Sequence, residues 1–212
     1  MARQARHVQT SLFILTLITL LAPLTSSALE EGEIPAELDF DRRGAAVTRF
    51  EIPLLGGEYF GDKMDHSFIV GSGLYVHLTD ALSLGADFGY SRVNYDPKGE
   101  FGSAVTDNNL YLTGGTFKIA LPGAYRSGKK IREVDFYTLI GGGAIRISNS
   151  FRGAGTIGGG MKIYTGAPWF SFITEVREYF FTVPTASGSA FETDMVLLLG
   201  PSFLIPPWVN HP

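Results

Sequence analysis

The segment FETDMVLLLGPSFLI, residues 191–205, alternates between two kinds of side chain. Successive side chains of an extended strand point to opposite faces, so each face is read at every second residue. The segment is therefore predicted to be a strand with one face in an apolar environment, which is either the core of a soluble sheet or a lipid bilayer. The apolar face is Phe191, Thr193, Met195, Leu197, Leu199, Phe203 and Ile205, and the opposite face is Glu192, Asp194, Val196, Leu198, Gly200 and Ser202.

The first 28 residues have the features of an export signal. Arg3 and Arg6 precede an apolar run at 12–22, and Ser26-Ser27-Ala28 offers a small-residue cleavage site. The run has 11 residues, whereas a spanning helix needs about 20, so we expect a cleaved signal peptide at 1–28. The chain has no cysteine, which excludes a lipoprotein signal and disulfide stabilisation.

The charge of the chain is acidic, and the acids are concentrated near the start of the mature protein. The formal net charge is −4, and it becomes −6 without the first 28 residues, which hold two arginines and no acid. This balance argues against a nucleic-acid partner, which would require a basic face. Residues 29–46 carry six acids and two arginines. We interpret 29–46 as an acidic flexible periplasmic leader, with a docking peptide for an envelope protein as the alternative.

Eight segments of alternating character follow the leader, and we predict an all-β domain at 47–205 with a periplasmic tail at 206–212. Glycine is abundant, 26 of 212 residues, which favours twisted and bent strands. Pro53 and Pro201 lie in the first and last strands, and the seam where these strands pair is expected to be imperfect because proline cannot donate to a ladder. The predicted strands are 47–59, 67–78, 82–93, 109–120, 134–147, 156–164, 169–181 and 191–205.

Two connections stand out for their composition. Residues 94–106 read as a long polar loop that contains Asp96-Pro97-Lys98-Gly99. Residues 122–132 read as a basic connection, which is either a solvated loop or a contact with an anionic partner, a membrane surface or an envelope protein.

The decisive question is which face of the strands lies inside. A soluble barrel buries the apolar set, whereas a membrane barrel exposes it to lipid. The charged set is rich in glycine and serine, as a narrow eight-stranded interior requires, and aromatic residues cluster near the strand ends, as in interfacial girdles. We therefore predict an eight-stranded antiparallel up-and-down transmembrane β-barrel, with a soluble periplasmic barrel that binds an apolar ligand as the alternative. The aromatic residues assigned to the girdles are Tyr59, Phe60, Tyr90, Tyr95, Tyr179, Phe180 and Phe181 at one end and Tyr125, Phe136, Tyr137, Trp169, Phe170 and Trp208 at the other.

Three hairpin phrases, FGDK at 60–63, HLTDAL at 77–82 and MKIY at 161–164, resemble those of small eight-stranded outer-membrane β-barrel proteins of Gram-negative bacteria. The spacing of Gly200, Phe203 and Ile205 resembles the C-terminal signal of that family. The resemblance implies a location in the outer membrane, contact with outer-membrane lipid and recognition by the barrel assembly machinery. It implies an architecture and no particular activity.

The inward face of such a barrel would hold charges of both signs. Because an unpaired buried charge costs several kcal/mol, we expect them to form a plug of ion pairs rather than a conducting pore. The predicted lumen charge network is Arg49, Glu51, His77, Asp87, Lys118, Asp135, Arg146, Lys162, Glu175, Arg177, Glu192 and Asp194.

Catalysis and metal binding receive little support from the sequence. His66 and Ser67 are adjacent and point to opposite faces, and His77 has no evident serine partner. No His, Asp or Glu cluster recurs at ligand spacing, and no cofactor motif follows the glycine runs. We therefore expect no enzyme, metal or cofactor, and a structural or envelope-anchoring role. The alternative is a barrel subunit of a larger envelope complex, with a partner held through 29–46 or 122–132.

Overall fold

A computed structural model describes residues 49–61, 66–93, 109–127, 130–147, 150–165, 167, 169–185 and 188–205. For residues 124–127, 130–132 and 184–185 only the backbone is described. The predicted signal peptide 1–28, leader 29–46 and tail 206–212 lie outside these residues. The strands are β1 (Arg49–Phe60), β2 (Ser67–His77), β3 (Leu82–Arg92), β4 (Asn109–Ser127), β5 (Lys130–Ile147), β6 (Ser150–Tyr164), β7 (Phe170–Thr185) and β8 (Gly188–Ile205).

Each strand pairs antiparallel with the next, and β1 pairs with β8 to close the barrel. The predicted eight-stranded antiparallel barrel is confirmed. A row of paired residues that starts at Arg49 crosses all eight strands and returns to β1 at Tyr59, ten residues further on. This stagger inclines the strands by about 40° to the barrel axis. We call the rim where β1 begins and β8 ends the terminal rim, and the opposite rim the loop rim.

The seam between β1 and β8 is interrupted at the two prolines, as the sequence predicted. Pairing runs to Pro53 and Ser202, stops, and resumes at Gly56 and Leu199. Gly200 lies in this gap, and a Cβ on it would stand 2.1 Å from the carbonyl oxygen of Leu54. The seam therefore requires glycine at this position for the two backbones to approach.

The largest departure from the sequence prediction lies in the segment 122–132, where residues 122–127 and 130–132 are strand and not a connecting loop. β4 and β5 stay paired from Leu110 with Ile147 to Ser127 with Lys130. The pairing of β3 with β4 ends at Ile119, and that of β6 with β5 ends at Val134. Residues 121–127 and 130–133 therefore form a two-stranded ribbon that passes the terminal rim. Similarly, β6 begins at Ser150, and in the predicted connection 182–190 residues 182–185 belong to β7 and residues 188–190 to β8.

The apolar face of every strand points outward. Phe68, Leu84 and Leu199 are exposed, and on the last strand Leu197 is 40% exposed while its neighbour Leu198 is 6% exposed. Four of the aromatic residues assigned to girdles face the interior instead, and Tyr95, the side chain of Tyr125 and Trp208 lie outside the description. Within the described residues, no helix is long and apolar enough to cross a bilayer. The four inward aromatic residues are Tyr59, Tyr137, Tyr179 and Phe181.

Candidate functional site

The interior near the terminal rim is organised by Glu51 of β1. Its carboxylate accepts a hydrogen bond from Lys162 Nζ of β6 at 2.6 Å and lies 2.7 Å from His77 Nε2 of β2. Its other oxygen accepts from Ser202 Oγ of β8 at 2.6 Å. Since β1 and β6 stand on different sides of the barrel, the Glu51–Lys162 pair bridges the lumen. We call these four residues the rim cluster.

A second cluster fills the middle of the lumen and centres on Glu175 of β7, which is 1% exposed. Lys118 Nζ of β4 donates to Glu175 at 2.9 Å, and the guanidinium of Arg177 contacts the other carboxylate oxygen. Arg177 also donates to Asp87 of β3 at 3.0 Å. Tyr137 donates to Glu175 at 2.7 Å, and Tyr75 and Thr116 donate to Asp87. We call this set, Tyr75, Asp87, Thr116, Lys118, Tyr137, Glu175 and Arg177, the middle cluster.

The middle cluster balances its charges, with two cations and two carboxylates. Lys118 Nζ also lies 3.9 Å from the centroid of the Tyr75 ring and 4.8 Å from that of Tyr137, so both ring faces contact the ammonium. Removal of an ion from water costs several kcal/mol, which only close partners can offset. The arrangement meets that requirement with side chains from five strands.

The interior changes character toward the loop rim, where apolar side chains dominate. Tyr59 donates to Asp194 in this region, and both are buried. A cavity of about 30 Å³ lies between this apolar region and the middle cluster, and its lining includes Asp87, Thr156 and Arg177. Such a volume admits one or two water molecules and no larger ligand. The buried apolar residues of this region include Leu55, Ile69, Leu110, Leu112, Ile145, Val196 and Leu198.

The remaining residues of the predicted lumen charge network differ in where they lie and in what they contact. Arg49 pairs with Asp80 in the β2–β3 turn at 3.3 Å. Asp135 accepts from Tyr164 at 2.5 Å near the terminal rim, and Glu192 is buried in β8. The assignment of Arg146 to the lumen is wrong, since its guanidinium lies on the outer face. Asp135 and Arg146 are separated by an odd number of residues in a strand without a register break, so they point to opposite faces.

The three residues of the predicted assembly signal lie along the seam near the terminal rim. Phe203 stacks on Trp169 at 6.2 Å between ring centroids and also contacts Phe170. Ile205 is exposed opposite Phe50, and Gly200 occupies the close approach described above. The geometry accounts for these residues in the folded barrel, and their role as a signal stays a prediction.

The two histidines in the described part of the chain, His66 and His77, do not form a nucleophile–base arrangement. His66 packs edge-on against Phe60, whereas Ser67 contacts Ser91 at 2.8 Å. In the rim cluster the carboxylate lies between His77 and Ser202, whereas a catalytic triad needs the imidazole in the middle. Among the described residues, no three His, Asp or Glu side chains are grouped to hold a metal ion.

Sequence reasoning missed the polar partners of the charged residues. Tyr75, Tyr137, Tyr164 and Ser202 all share the inward parity of the charged set. A buried tyrosine hydroxyl needs a hydrogen-bond partner, so an inward tyrosine near an inward carboxylate could have been predicted to donate to it.

No protein-family model and no curated protein matches the chain. Neisserial surface protein A is a similar solved structure, with 10% identity and a TM-score of 0.47 over 73% of this chain and 96% of that one. The N-terminal β-barrel domain of Pseudomonas aeruginosa OprF has 18% identity and a TM-score of 0.39, with 74% and 97% covered. Ail of Yersinia pestis has 9% identity and a TM-score of 0.35, with 74% and 99% covered. These neighbours are eight-stranded outer-membrane β-barrels.

Proposed function

We propose that this protein is a non-enzymatic outer-membrane β-barrel with a structural or envelope-anchoring role, whose lumen is filled by paired charged side chains. The observation that supports it most is the inversion of the two faces. Phe68 and Leu199 are exposed on the outside while Glu175 and Arg177 are buried inside. Water would favour the opposite arrangement, and a bilayer favours this one.

The alternative of a soluble barrel with an apolar ligand has less support. A small-molecule site usually encloses about 300–1,000 Å³, whereas the cavity beside Asp87 and Arg177 in the described interior measures about 30 Å³. The apolar outer face would also remain in contact with water, at about 25 cal/mol for each Å².

Cell fractionation and gel mobility test the location. The mature protein is expected in the outer-membrane fraction, and it should migrate faster unheated than boiled because a closed barrel resists detergent. Recovery in the soluble periplasm would favour the soluble barrel.

Two matched arginine variants test the lipid contact. The strand register puts Leu199 near the middle of the apolar band and Thr193 on the same face near the loop rim. Leu199→Arg should lower the free energy of unfolding in vesicles by about 2–4 kcal/mol, and Thr193→Arg should lower it by at most about 1 kcal/mol. Equal effects at the two sites would argue against a position of Leu199 near the middle of a bilayer.

The second candidate, a subunit of a larger envelope complex, is favoured by the ribbon 121–133. Among the described residues its two strands pair only with each other, so both outer edges offer backbone groups for pairing with another chain. Its sequence contains four cations, Arg126, Lys129, Lys130 and Arg132, and one acid.

Crosslinking in whole cells tests this candidate with two variants, one lacking 29–46 and one in which residues 123–132 are replaced by a short turn. Loss of a crosslinked partner from the ribbon variant alone would identify the ribbon as the contact. Retention of every partner in both variants would leave the structural barrel as the function.

A further inference from the structure

The outer face of β3 changes character along its length. From the terminal rim it reads Leu82, Leu84, Ala86, Phe88, Tyr90 and Arg92. Ten residues separate the first from the last, and at about 3.4 Å per residue with a tilt of about 40° they span about 26 Å, close to the height of an apolar band. Arg92 therefore lies at the headgroup level of the leaflet on the loop side.

A second arginine reaches the same level from β5. Arg146 points outward, ten residues from Phe136, and its guanidinium lies 5.5 Å from the centroid of the Tyr111 ring and 5.2 Å from that of Phe151. Contact with two rings fixes the guanidinium plane. A fixed planar fork of N–H donors matches the oxygens of a phosphate.

The stagger of the barrel brings the two arginines to one height. Arg92 pairs with Asn109 of β4, and Tyr111, two residues closer to the terminal rim on that strand, pairs with Arg146. Because the strands are tilted, a row of paired residues followed from β1 through to β8 moves toward the loop rim by ten residue positions in one full turn around the barrel. Across two of the eight strands it moves by about two and a half positions. This movement toward the loop rim offsets the two positions that separate Asn109 from Tyr111, so Arg92 and Arg146 lie at nearly the same height. Their backbones lie about 12 Å apart around the barrel.

The position of these cations on the outer surface is selective. Four charged side chains point outward from the described strands, excluding those of 124–132: Glu58, Arg92, Arg146 and Glu178. The acids are on β1 and β7, on either side of β8, whereas the cations flank β4. Among these described side chains, the outward positive charge lies on one side of the barrel at headgroup depth, although the chain has more acids than bases.

We infer that Arg92 and Arg146, with Tyr111 between them, form a binding site for the phosphate of an anionic lipid in the leaflet at the loop rim. The inference rests on the proposed membrane location. Both arginines extend from backbone positions at a depth where a headgroup phosphate is present and a soluble anion must leave water to enter. The ring of Tyr111 orients Arg146, and Tyr90 donates to Asn109 at 2.8 Å on the same surface.

The test is native mass spectrometry of the folded protein titrated with phosphatidic acid, with diacylglycerol of the same chains and with inorganic phosphate. Phosphatidic acid should bind, and Arg92→Gln and Arg146→Gln should each raise its Kd by about tenfold, the size expected for one charge-assisted hydrogen bond. Tyr111→Leu should weaken binding and Tyr111→Phe should preserve it. Glu58→Gln, on the other side of the barrel, is the matched control and should leave the Kd unchanged.

Three results would overturn the inference: equal binding of diacylglycerol, an unchanged Kd in the double arginine variant, or an equal loss in Glu58→Gln. Displacement of the lipid by millimolar inorganic phosphate would assign the site to a soluble anion, which also contradicts it. Every variant is first checked for the heat-dependent gel shift. A wild-type protein that fails this check contradicts the proposed function, whereas a folded protein that ignores phosphatidic acid contradicts this inference alone.

Discussion

At the scale of single residues, Glu175 is the carboxylate on which the middle cluster depends. It pairs with both Lys118 and Arg177, so its replacement removes the carboxylate that contacts Lys118 and leaves Arg177 with Asp87. Glu175→Gln keeps the shape and removes the charge. We expect it to lower the free energy of unfolding by about 3–5 kcal/mol, the range for breaking a buried pair.

The measurement is urea unfolding of the protein in lipid vesicles, followed by tryptophan fluorescence. The control is a cycle with Lys118→Met, because the double variant restores the charge balance of the cluster and should recover part of the loss. If the double variant loses the sum of the two single effects, the pair is not coupled and the cluster does not act as a unit.

Residue parity also marks the limit of what the sequence could predict about the interior. Eleven of the twelve residues assigned to the lumen have inward or rim positions, because charge and alternation agree in their strands. Arg146 was misplaced because its charge was taken to indicate an inward position, although it has the parity of Ile140 and Ala144 on the outer face. The apolar interior near the loop rim was not predicted either, since Leu55 and Ile69 alternate with residues that are no more polar than they are.

At the scale of the strands, Gly200 explains how β8 meets β1 despite two prolines. A methyl group on Gly200 would collide with the Leu54 carbonyl, whereas one on Gly153 has nothing within 4 Å. Gly200→Ala should therefore destabilise the barrel by about 1–3 kcal/mol, the usual cost of overpacking, and Gly153→Ala should not. Unfolding in vesicles measures both, and equal stability of the two variants would mean that the seam is not close-packed at Gly200.

The strands also show where local pattern failed. Five of the eight strands were predicted to within two residues of their true starts because the alternation begins with the strand, whereas β5, β6 and β8 begin four, six and three residues earlier than predicted. The extension of β4 and β5 was missed because Pro122, Gly123 and four cations are typical of loops. What holds 121–127 and 130–133 in strand conformation is the partner strand, and pairing between strands is not encoded in the composition of either segment.

At the scale of the whole molecule, the interior is closed in layers stacked along the barrel axis. The rim cluster bridges β1 and β6, the middle cluster joins five strands, and apolar side chains fill the space toward the loop rim. An ion crossing the barrel must pass all three, and it must leave most of its water at each. The molecule is therefore expected to form no large stable pore.

Conductance of the purified protein in planar bilayers measures this closure, with a wide porin as the positive control. The wild-type protein should give no reproducible channel. Because the layers lie in series, Arg177→Ala should also remain closed: it opens the middle cluster, while Glu51 and Lys162 still bridge the lumen at 2.6 Å. Channels that pass sugars in the wild-type protein would mean that the charged residues line an open path, and the anchoring role would then give way to transport.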